Sequence, residues 1–231
     1  MSRQTNILRV KAVAQALSEL NETIVFVGGA TVALYAGAAA PEVRPTDDVD
    51  VVIELASYSD YARLDERLRE IGFINEITLG VICRYTIQGI VVDIMPTEPG
   101  IIGFSNRWYP EGFQNAVICQ LEEGYEISIF SLPYFIASKW EAFKNRGKLD
   151  FRGSSDFEDI VYVLENADAL KQKLTNAPEN VKNYLKQEIS YWINKPEFEE
   201  GLYCHIERGS SANKVLEMIA ILAASLGIKK Q

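Results

Sequence analysis

The 231-residue sequence has few cysteines and no long hydrophobic run. Cys83, Cys119 and Cys204 are odd in number, widely spaced and form no C-x-x-C pair, so we expect buried or half-buried thiols of a reducing compartment. The apolar run Ile219–Leu226 is far shorter than the roughly 20 residues that a membrane-spanning helix needs. The first residues are polar and show no apolar stretch typical of a signal peptide. We therefore expect a soluble, cytoplasmic protein with no membrane partner.

Two common nucleotide-binding motifs are also missing. No G-x-x-x-x-G-K-[ST] sequence occurs, which excludes a P-loop NTPase. The glycine pair in residues 28–33 is not followed by the spacing G-x-G-x-x-G, which argues against a Rossmann protein. Basic residues are outnumbered, with 23 Lys and Arg against 32 Asp and Glu, and the net charge of −9 argues against indiscriminate nucleic-acid binding. The one histidine, His205, has no partner pattern, so we expect a structural role for it.

The apolar pattern changes along the chain from mixed to helical. Hydrophobic residues make up 48% of the sequence and charged residues 24%, an ordinary globular balance. The pattern predicts strands at Thr23–Val27, Val49–Leu55, Val81–Ile87, Ile90–Met95 and Ala116–Leu121, and helices at 4–20, 30–39 and 58–71. Further helices are predicted at Leu132–Asn145, Ser154–Leu164, Ala167–Leu174, Pro178–Ile193 and Ser211–Leu226. These elements predict an α+β fold, with a mixed β-sheet flanked by helices in domain 1–130 and a helical C-terminal region in domain 131–231.

Acidic residues lie inside two otherwise apolar strands. Asp48 and Asp50 open the run Val49–Leu55, and Asp93 lies in Val91–Met95. Residues two apart on a strand point to one face, so Asp48 and Asp50 face the same side. Three carboxylates that converge from neighbouring strands are able to hold two Mg²⁺ ions about 3.5–4 Å apart. The pattern therefore predicts a metal-dependent site for phosphoryl chemistry.

The glycine pair Gly28-Gly29 ends the first predicted strand about twenty residues before these acids. Glycine lets backbone amides approach a triphosphate closely, and the helix predicted to begin near Ala30 would direct its N-terminus toward that anion. Thr31 and Arg44 lie near these motifs in sequence, where nucleotide contact and loop packing are equally open. The aromatic residues Trp108, Tyr109 and Phe113 could line a pocket or pack in the core.

Taken together, Gly28-Gly29, Asp48-Val49-Asp50 and Asp93 resemble the nucleotidyltransferase superfamily of the polymerase-β type. The segments 138–142 (SKWEA) and 155–160 (SDFEDI) are similar to downstream segments of its AbiEii toxin-like branch. The resemblance covers about residues 22–165. This chain departs from the pattern at Ser155, where the family often has a basic residue, and at Gly29, where many members have serine.

The resemblance implies the nucleotidyltransferase fold and transfer of a nucleoside monophosphate from a nucleoside triphosphate to a hydroxyl. It implies Asp48, Asp50 and Asp93 as catalytic and metal-binding residues, with Mg²⁺ or Mn²⁺ as cofactor. Asp93 is the candidate to deprotonate the attacking hydroxyl. The nucleotide-binding residues that it implies are Gly28, Gly29, Lys139 and Asp156, and Lys139 would place a point charge at the leaving pyrophosphate. Asp156 could instead only cap a helix.

The acceptor of the nucleotide is left open by the sequence. A toxin-like role implies an RNA 3′ end, above all that of tRNA, with a cognate antitoxin protein as partner. A hydroxylated antibiotic, a protein hydroxyl and a non-catalytic nucleotide-binding protein of the same fold are the alternatives. The locally basic stretch Lys139–Arg152 favours RNA, although a solvated helix face would show the same pattern.

Overall fold

The computed structural model describes residues 2–37, 39–75, 82–103, 106–122, 124–206 and 212–228. The chain divides into two compact units. The first comprises Met1–Leu34 and Glu42–Ser131, and the second comprises Tyr35–Pro41 and Leu132–Gln231. The domains predicted at 1–130 and 131–231 stay a prediction. Among the described residues, no helix has the length and apolar character needed to cross a bilayer.

The first unit contains a mixed β-sheet with helices, as the sequence predicts. Its strands are β1 (Ile24–Val27), β2 (Asp48–Ile53), β3 (Ile74–Asn75), β4 (Arg84–Ile87), β5 (Ile90–Pro96), β6 (Ala116–Glu122) and β7 (Tyr125–Phe130). Its helices are α1 (Ser2–Leu17), α2 (Tyr58–Glu70), α3 (Pro99–Ile102) and α4 (Tyr109–Gln114), and the segment Gly29–Tyr35 forms a 3-10 helix. In the described residues the strands form one sheet in the order β3-β4-β5-β2-β1-β7-β6.

The centre of this sheet brings the acidic strands together. Strand β2 pairs with β1 antiparallel and with β5 parallel, and the latter register places Asp50 opposite Asp93. Along β2 the half-buried Asp48 and Asp50 alternate with Val49 and Val51, which are 0% and 1% exposed. The valine face is therefore buried in the core, while the acidic face stays accessible.

The second unit is helical. Its helices are α5 (Leu132–Asn145), α6 (Ser155–Asn166), α7 (Leu170–Thr175), α8 (Glu179–Trp192), α9 (Pro196–His205) and α10 (Ala212–Leu226). Helix α5 packs against α6 and α8, and α6 packs against α9, around buried aromatic rings that include Trp140, Phe143 and Phe157. His205 lies beside these rings: its Nε2 is 3.0 Å from the carbonyl oxygen of Phe151. This contact agrees with a structural role for His205.

Several predicted elements differ from the structure. In the alanine-rich segment predicted as a helix at 30–39, a short 3-10 helix ends at Tyr35, Ala36 forms an isolated β-bridge with Ala167, and Ala38 lies outside the described residues. The strand predicted from Val81 begins at Arg84, and Val81 itself lies outside the described residues. Strands β3 and β7 and helices α3, α4 and α9 were not predicted. Short or weakly periodic segments such as these are stabilised mainly by their tertiary neighbours.

The aromatic cluster predicted at 108–113 belongs mainly to the core. Trp108 and Tyr109 are 3% and 9% exposed, and the ring of Tyr109 packs edge to face on Phe130 with centroids 6.0 Å apart. Core packing, one of the two alternatives left open by the sequence, is thus what the structure shows for these two rings.

The three cysteines form no disulfide. Cys83 is buried, Cys119 is half-buried and Cys204 is exposed, so the expectation of buried or half-buried thiols is wrong for Cys204. Burial, followed by the negative charge of Asp93, raises the pKa of Cys83 to about 11. This thiol is therefore protonated at neutral pH and packs as a small apolar side chain.

Candidate active site

Three acids share one face at the centre of the sheet. Asp48 and Asp50 are two residues apart on β2 and therefore project from the same side. Asp93 is the direct partner of Asp50 in the parallel β2–β5 pair, so its side chain lies on that side as well. The side chain of Asp48 is 39% exposed and that of Asp93 is 13% exposed. The structure thus places on one face the three carboxylates that the sequence proposed as catalytic.

The turn at Gly28 lies directly against this acidic face. Gly28 follows β1, whose last residue Val27 is the partner of Asp50. Its φ of +72° belongs to the left-handed region, and a Cβ added there would lie 1.8 Å from Oδ2 of Asp50. Gly28 is therefore needed both for its backbone conformation and for the space that the Asp50 carboxylate occupies.

Replacing Gly28 by alanine is expected to destabilise the fold and to displace Asp50. The left-handed conformation alone costs an alanine about 1–2 kcal/mol, and the contact with the carboxylate adds to that loss. A matched control is Gly89→Ala, since Gly89 has a φ of +78° but nothing within 4 Å of an added Cβ. Urea unfolding should show a clearly larger loss for Gly28→Ala. Equal losses for the two variants would mean that the Asp50 contact carries no energy.

The 3-10 helix and the loop before β2 hold the turn and the acids in place. The hydroxyl of the fully buried Thr31 donates to the carbonyl oxygen of Gly28 at 2.9 Å, so loop packing is the role the structure gives Thr31. The half-buried guanidinium of Arg44 lies beside Gly29, 2.7 Å from the position of an added Cβ. Asn6 of α1 is fully buried, and its side chain bonds the Arg44 carbonyl and the Thr46 amide at 3.3 and 3.4 Å.

Sequence reasoning missed a fourth residue of this face, Arg84. It is the cross-strand partner of Asp93 in the antiparallel β4–β5 pair. Its Nε donates to Oδ1 of Asp93 at 2.8 Å and its Nη2 donates to Oδ2 at 2.7 Å, while Nη2 is also 3.5 Å from Oδ2 of Asp48. The hydrogen bond to Asp93 is the main cause that raises the pKa of Arg84. The sequence contained a signal for this pair, because a hairpin turn at Gln88-Gly89 places residues 84 and 93 opposite each other.

The carboxylates of the acidic face are suitable ligands for a divalent cation. Carboxylate oxygens are the ligands that Mg²⁺ prefers, and Mg²⁺ is usually held by one or two carboxylates together with substrate phosphates. Asp48 and Asp50 offer two such carboxylates next to the Gly28 turn. In the described part of the chain, no three His, Cys, Asp or Glu side chains are grouped closely enough to ligate one ion. Asp48 and Asp50 are therefore the residues that fit a metal held jointly with a nucleotide.

The other two sequence-predicted site residues meet each other in the second unit. Lys139 of α5 is 5% exposed, and its Nζ is 3.1 Å from Oδ1 of Asp156 and 2.6 Å from Oδ2 of Asp159. Arg146 donates to both oxygens of Asp156 at 2.7 Å. Burial raises the pKa of Asp156, but the hydrogen bond from Arg146 and the charge of Lys139 outweigh it and hold that pKa below its ordinary value. This ion cluster was not predicted from the sequence.

Ser154, not Asp156, caps helix α6. The Ser154 side chain accepts from the amide of Phe157 at 3.4 Å, whereas Asp156 lies within the first turn of the helix and is engaged by Lys139 and Arg146. Capping, the alternative left open for Asp156, is thus performed by another residue.

The basic stretch at 139–152 is largely neutralised by acids. Lys144 pairs with Glu141 and Glu188 at 3.1 and 2.7 Å, and Arg152 pairs with Glu200. Lys139 and Arg146 belong to the cluster around Asp156. Paired cations attract phosphates less than unpaired ones, so this stretch lends less support to RNA binding than its composition suggested.

Comparison with solved structures identifies the fold of this chain. The chain is similar to the crystal structure of an antigenic nucleotidyltransferase-like protein from Paracoccidioides brasiliensis, with a TM-score of 0.52 and 19% sequence identity. The match covers 90% of this chain and 96% of the other chain. At that identity the likeness concerns the fold, and it confirms the nucleotidyltransferase fold predicted from the sequence.

The family is shown by a sequence comparison. The model of the AbiEii nucleotidyl transferase toxins, of type IV toxin–antitoxin systems, matches residues 11–200. The chain belongs to this family, which confirms the resemblance carried by the glycine turn, the acidic strands and the segments around Lys139 and Asp156. A search of curated proteins found no match.

Proposed function

We propose that this protein transfers a nucleoside monophosphate from a nucleoside triphosphate to a hydroxyl, using Mg²⁺ or Mn²⁺ as cofactor. The observation that carries the proposal is the alignment of Asp48, Asp50 and Asp93 on one sheet face, with Gly28 packed against Asp50. Membership in the AbiEii nucleotidyl transferase toxin family supports the reaction class. The acceptor hydroxyl loses its proton to a base as its oxygen attacks the α-phosphorus, the bond from that phosphorus to the oxygen bridging the α and β phosphorus atoms breaks, and pyrophosphate leaves.

Each part of the face has a task in this reaction. Asp48 and Asp50 would hold the divalent cation, which when bound neutralises charge that develops on the phosphates. Glycine at the half-buried Gly28 and the buried Gly29 would let the backbone of this turn come close to a triphosphate. Arg44, whose guanidinium lies beside Gly29, is placed to add positive charge at the same turn. Asp93 as the base, and Lys139 and Asp156 as nucleotide-binding residues, stay predictions.

For the acceptor we propose an RNA 3′ end, with tRNA as the first candidate. A 3′ end carries the free hydroxyl that the reaction needs, and blocking it on tRNA would explain a toxic effect. The support is the toxin family, and it also leads us to propose a cognate antitoxin as partner, encoded near this gene.

The experiment is incubation of the full chain with each of the four α-labelled nucleoside triphosphates, Mg²⁺ and total RNA, followed by a denaturing gel. Label should enter the tRNA band with at least one nucleotide and be absent with Asp48→Ala. It should also decrease with added salt, because contacts between basic side chains and RNA phosphates are screened.

Three other outcomes would correct the proposal at different levels. Label on an added aminoglycoside or on a protein, with none on RNA, would keep the transferase and change the acceptor. A thermal shift by triphosphate and Mg²⁺ without labelling of any acceptor would indicate a nucleotide-binding protein that keeps the fold. If triphosphate and Mg²⁺ cause no thermal shift and no acceptor is labelled, the proposal is contradicted altogether.

A further inference from the structure

The Arg84–Asp93 pair lies within the acidic face. Its hydrogen bonds occupy carboxylate oxygens of Asp93 that would otherwise be available to coordinate a metal ion. Both carboxylate oxygens of Asp93 accept from the Arg84 guanidinium, at 2.8 and 2.7 Å. This two-point contact is the strong geometry for an arginine and a carboxylate, because the planar fork matches the two oxygens. The pair is partly shielded from water, since the side chains of Arg84 and Asp93 are 28% and 13% exposed.

The backbone holds this pair in place. Residues 84 and 93 are opposite each other in the β4–β5 hairpin, so their side chains start from neighbouring Cβ atoms on one face. Removing the guanidinium from a partly buried carboxylate would leave a poorly compensated charge, which is strongly unfavourable. A divalent cation that displaced Arg84 from Asp93 would itself compensate the carboxylate, so what it would have to replace is the two hydrogen bonds from the guanidinium, while Arg84 would lose this carboxylate.

The guanidinium also extends toward Asp48. Its Nη2 is 3.5 Å from Oδ2 of Asp48, so a positive charge lies between Asp93 and Asp48. A second metal ion in that position would be repelled by Arg84.

We infer that Arg84 replaces one of the two metal ions expected at this face, so that the nucleotide complex contains a single divalent cation held by Asp48 and Asp50. Asp93 is then a positioning residue that anchors Arg84 and does not ligate metal. This inference rests on the proposed function, because it concerns the metal that accompanies the nucleotide.

The experiment counts Mn²⁺ by electron paramagnetic resonance on the full chain with an equimolar α,β-methylene triphosphate. We expect about one Mn²⁺ per wild-type chain, because two carboxylates and the phosphates provide one site. Arg84→Met should bind a second Mn²⁺, since it frees Asp93 and removes the repelling charge. Arg67→Met is the matched control: Arg67 is half exposed, pairs with Glu70 on α2, and its loss should leave the count at one.

Asp93→Asn provides a second test should Arg84→Met fail to fold, which melting curves of each variant would reveal. If Asp93 is no ligand, the affinity of the Asp93→Asn variant for Mn²⁺ should stay within about threefold of wild type, whereas the Asp48→Asn variant should lose the ion. Two Mn²⁺ per wild-type chain, an unchanged count in folded Arg84→Met, or a tenfold or greater loss of affinity in Asp93→Asn would overturn the inference. A wild-type chain that binds no triphosphate would instead contradict the proposed function, on which the inference depends.

Discussion

Replacing Asp50 by asparagine is expected to lower the rate of nucleotidyl transfer by about 10³-fold, which corresponds to ~4 kcal/mol of lost transition-state stabilisation. Asn keeps the shape of the side chain but removes the negative charge that would hold the divalent cation. Asp50 is central to the face: it is opposite Asp93 across the β2–β5 pair and in contact with Gly28. The rate should be measured in single turnovers with an α-labelled triphosphate.

The same chain offers a close control in Asp47→Asn. Asp47 precedes β2 and is exposed, whereas the acids of the face are half-buried. Its loss removes the same charge from the chain, so the rate should stay within about twofold of wild type if only the face matters. A folded Asp50→Asn variant that keeps more than a tenth of the wild-type rate would show that the reaction does not depend on this carboxylate.

Replacing Lys139 by methionine is expected to destabilise the protein by about 3–5 kcal/mol, the usual consequence of removing one partner from a buried ion pair. The Lys139 side chain is 6% exposed, and those of its partners Asp156 and Asp159 are 3% and 1% exposed. Methionine fills the space of the lysine stem but leaves the two carboxylates without that positive charge. Chemical unfolding of the full chain measures the loss.

Two comparisons make this prediction specific. Arg152→Met removes an exposed basic residue of the same stretch that pairs with exposed Glu200, and it should cost less than about 1 kcal/mol. Adding Asp159→Asn to Lys139→Met should restore part of the lost stability, because it removes one of the two buried negative charges that the lysine had balanced. The double variant should therefore be more stable than Lys139→Met alone.

The opposite result would revive the role that the sequence assigned to Lys139. A Lys139→Met variant that unfolds at the wild-type denaturant concentration but no longer transfers nucleotide would favour direct contact between Lys139 and the phosphates. In the structure, the ammonium group of Lys139 is engaged by two aspartates, so its first effect is expected on folding.

The sequence alone determined those features that depend on neighbours along the chain. Alternation of acids and valines predicted the accessible acidic face of β2, since side chains of a strand alternate between its two sides. The glycine pair predicted the turn at Gly28, where the structure has a positive φ. Helix α5 has the bounds Leu132–Asn145 that were predicted, because its apolar positions recur at the helical period and tertiary packing reinforces them.

Only the tertiary structure decided which charged groups meet. Arg84 reaches Asp93 because the hairpin register places the two residues opposite each other, and a shift of one residue would have turned Arg84 to the other face. Lys139 is buried because α5 packs against α6, which brings Asp156 and Asp159 to its ammonium group. The helix predicted from Ala30 ends at Tyr35, where a bridge from Ala36 to Ala167 competes with the helix propensity of the alanines. Such pairings join residues on different elements, so the periodicity within one element carries no information about them. The charged pairings decide whether a charge is available to a ligand or already neutralised.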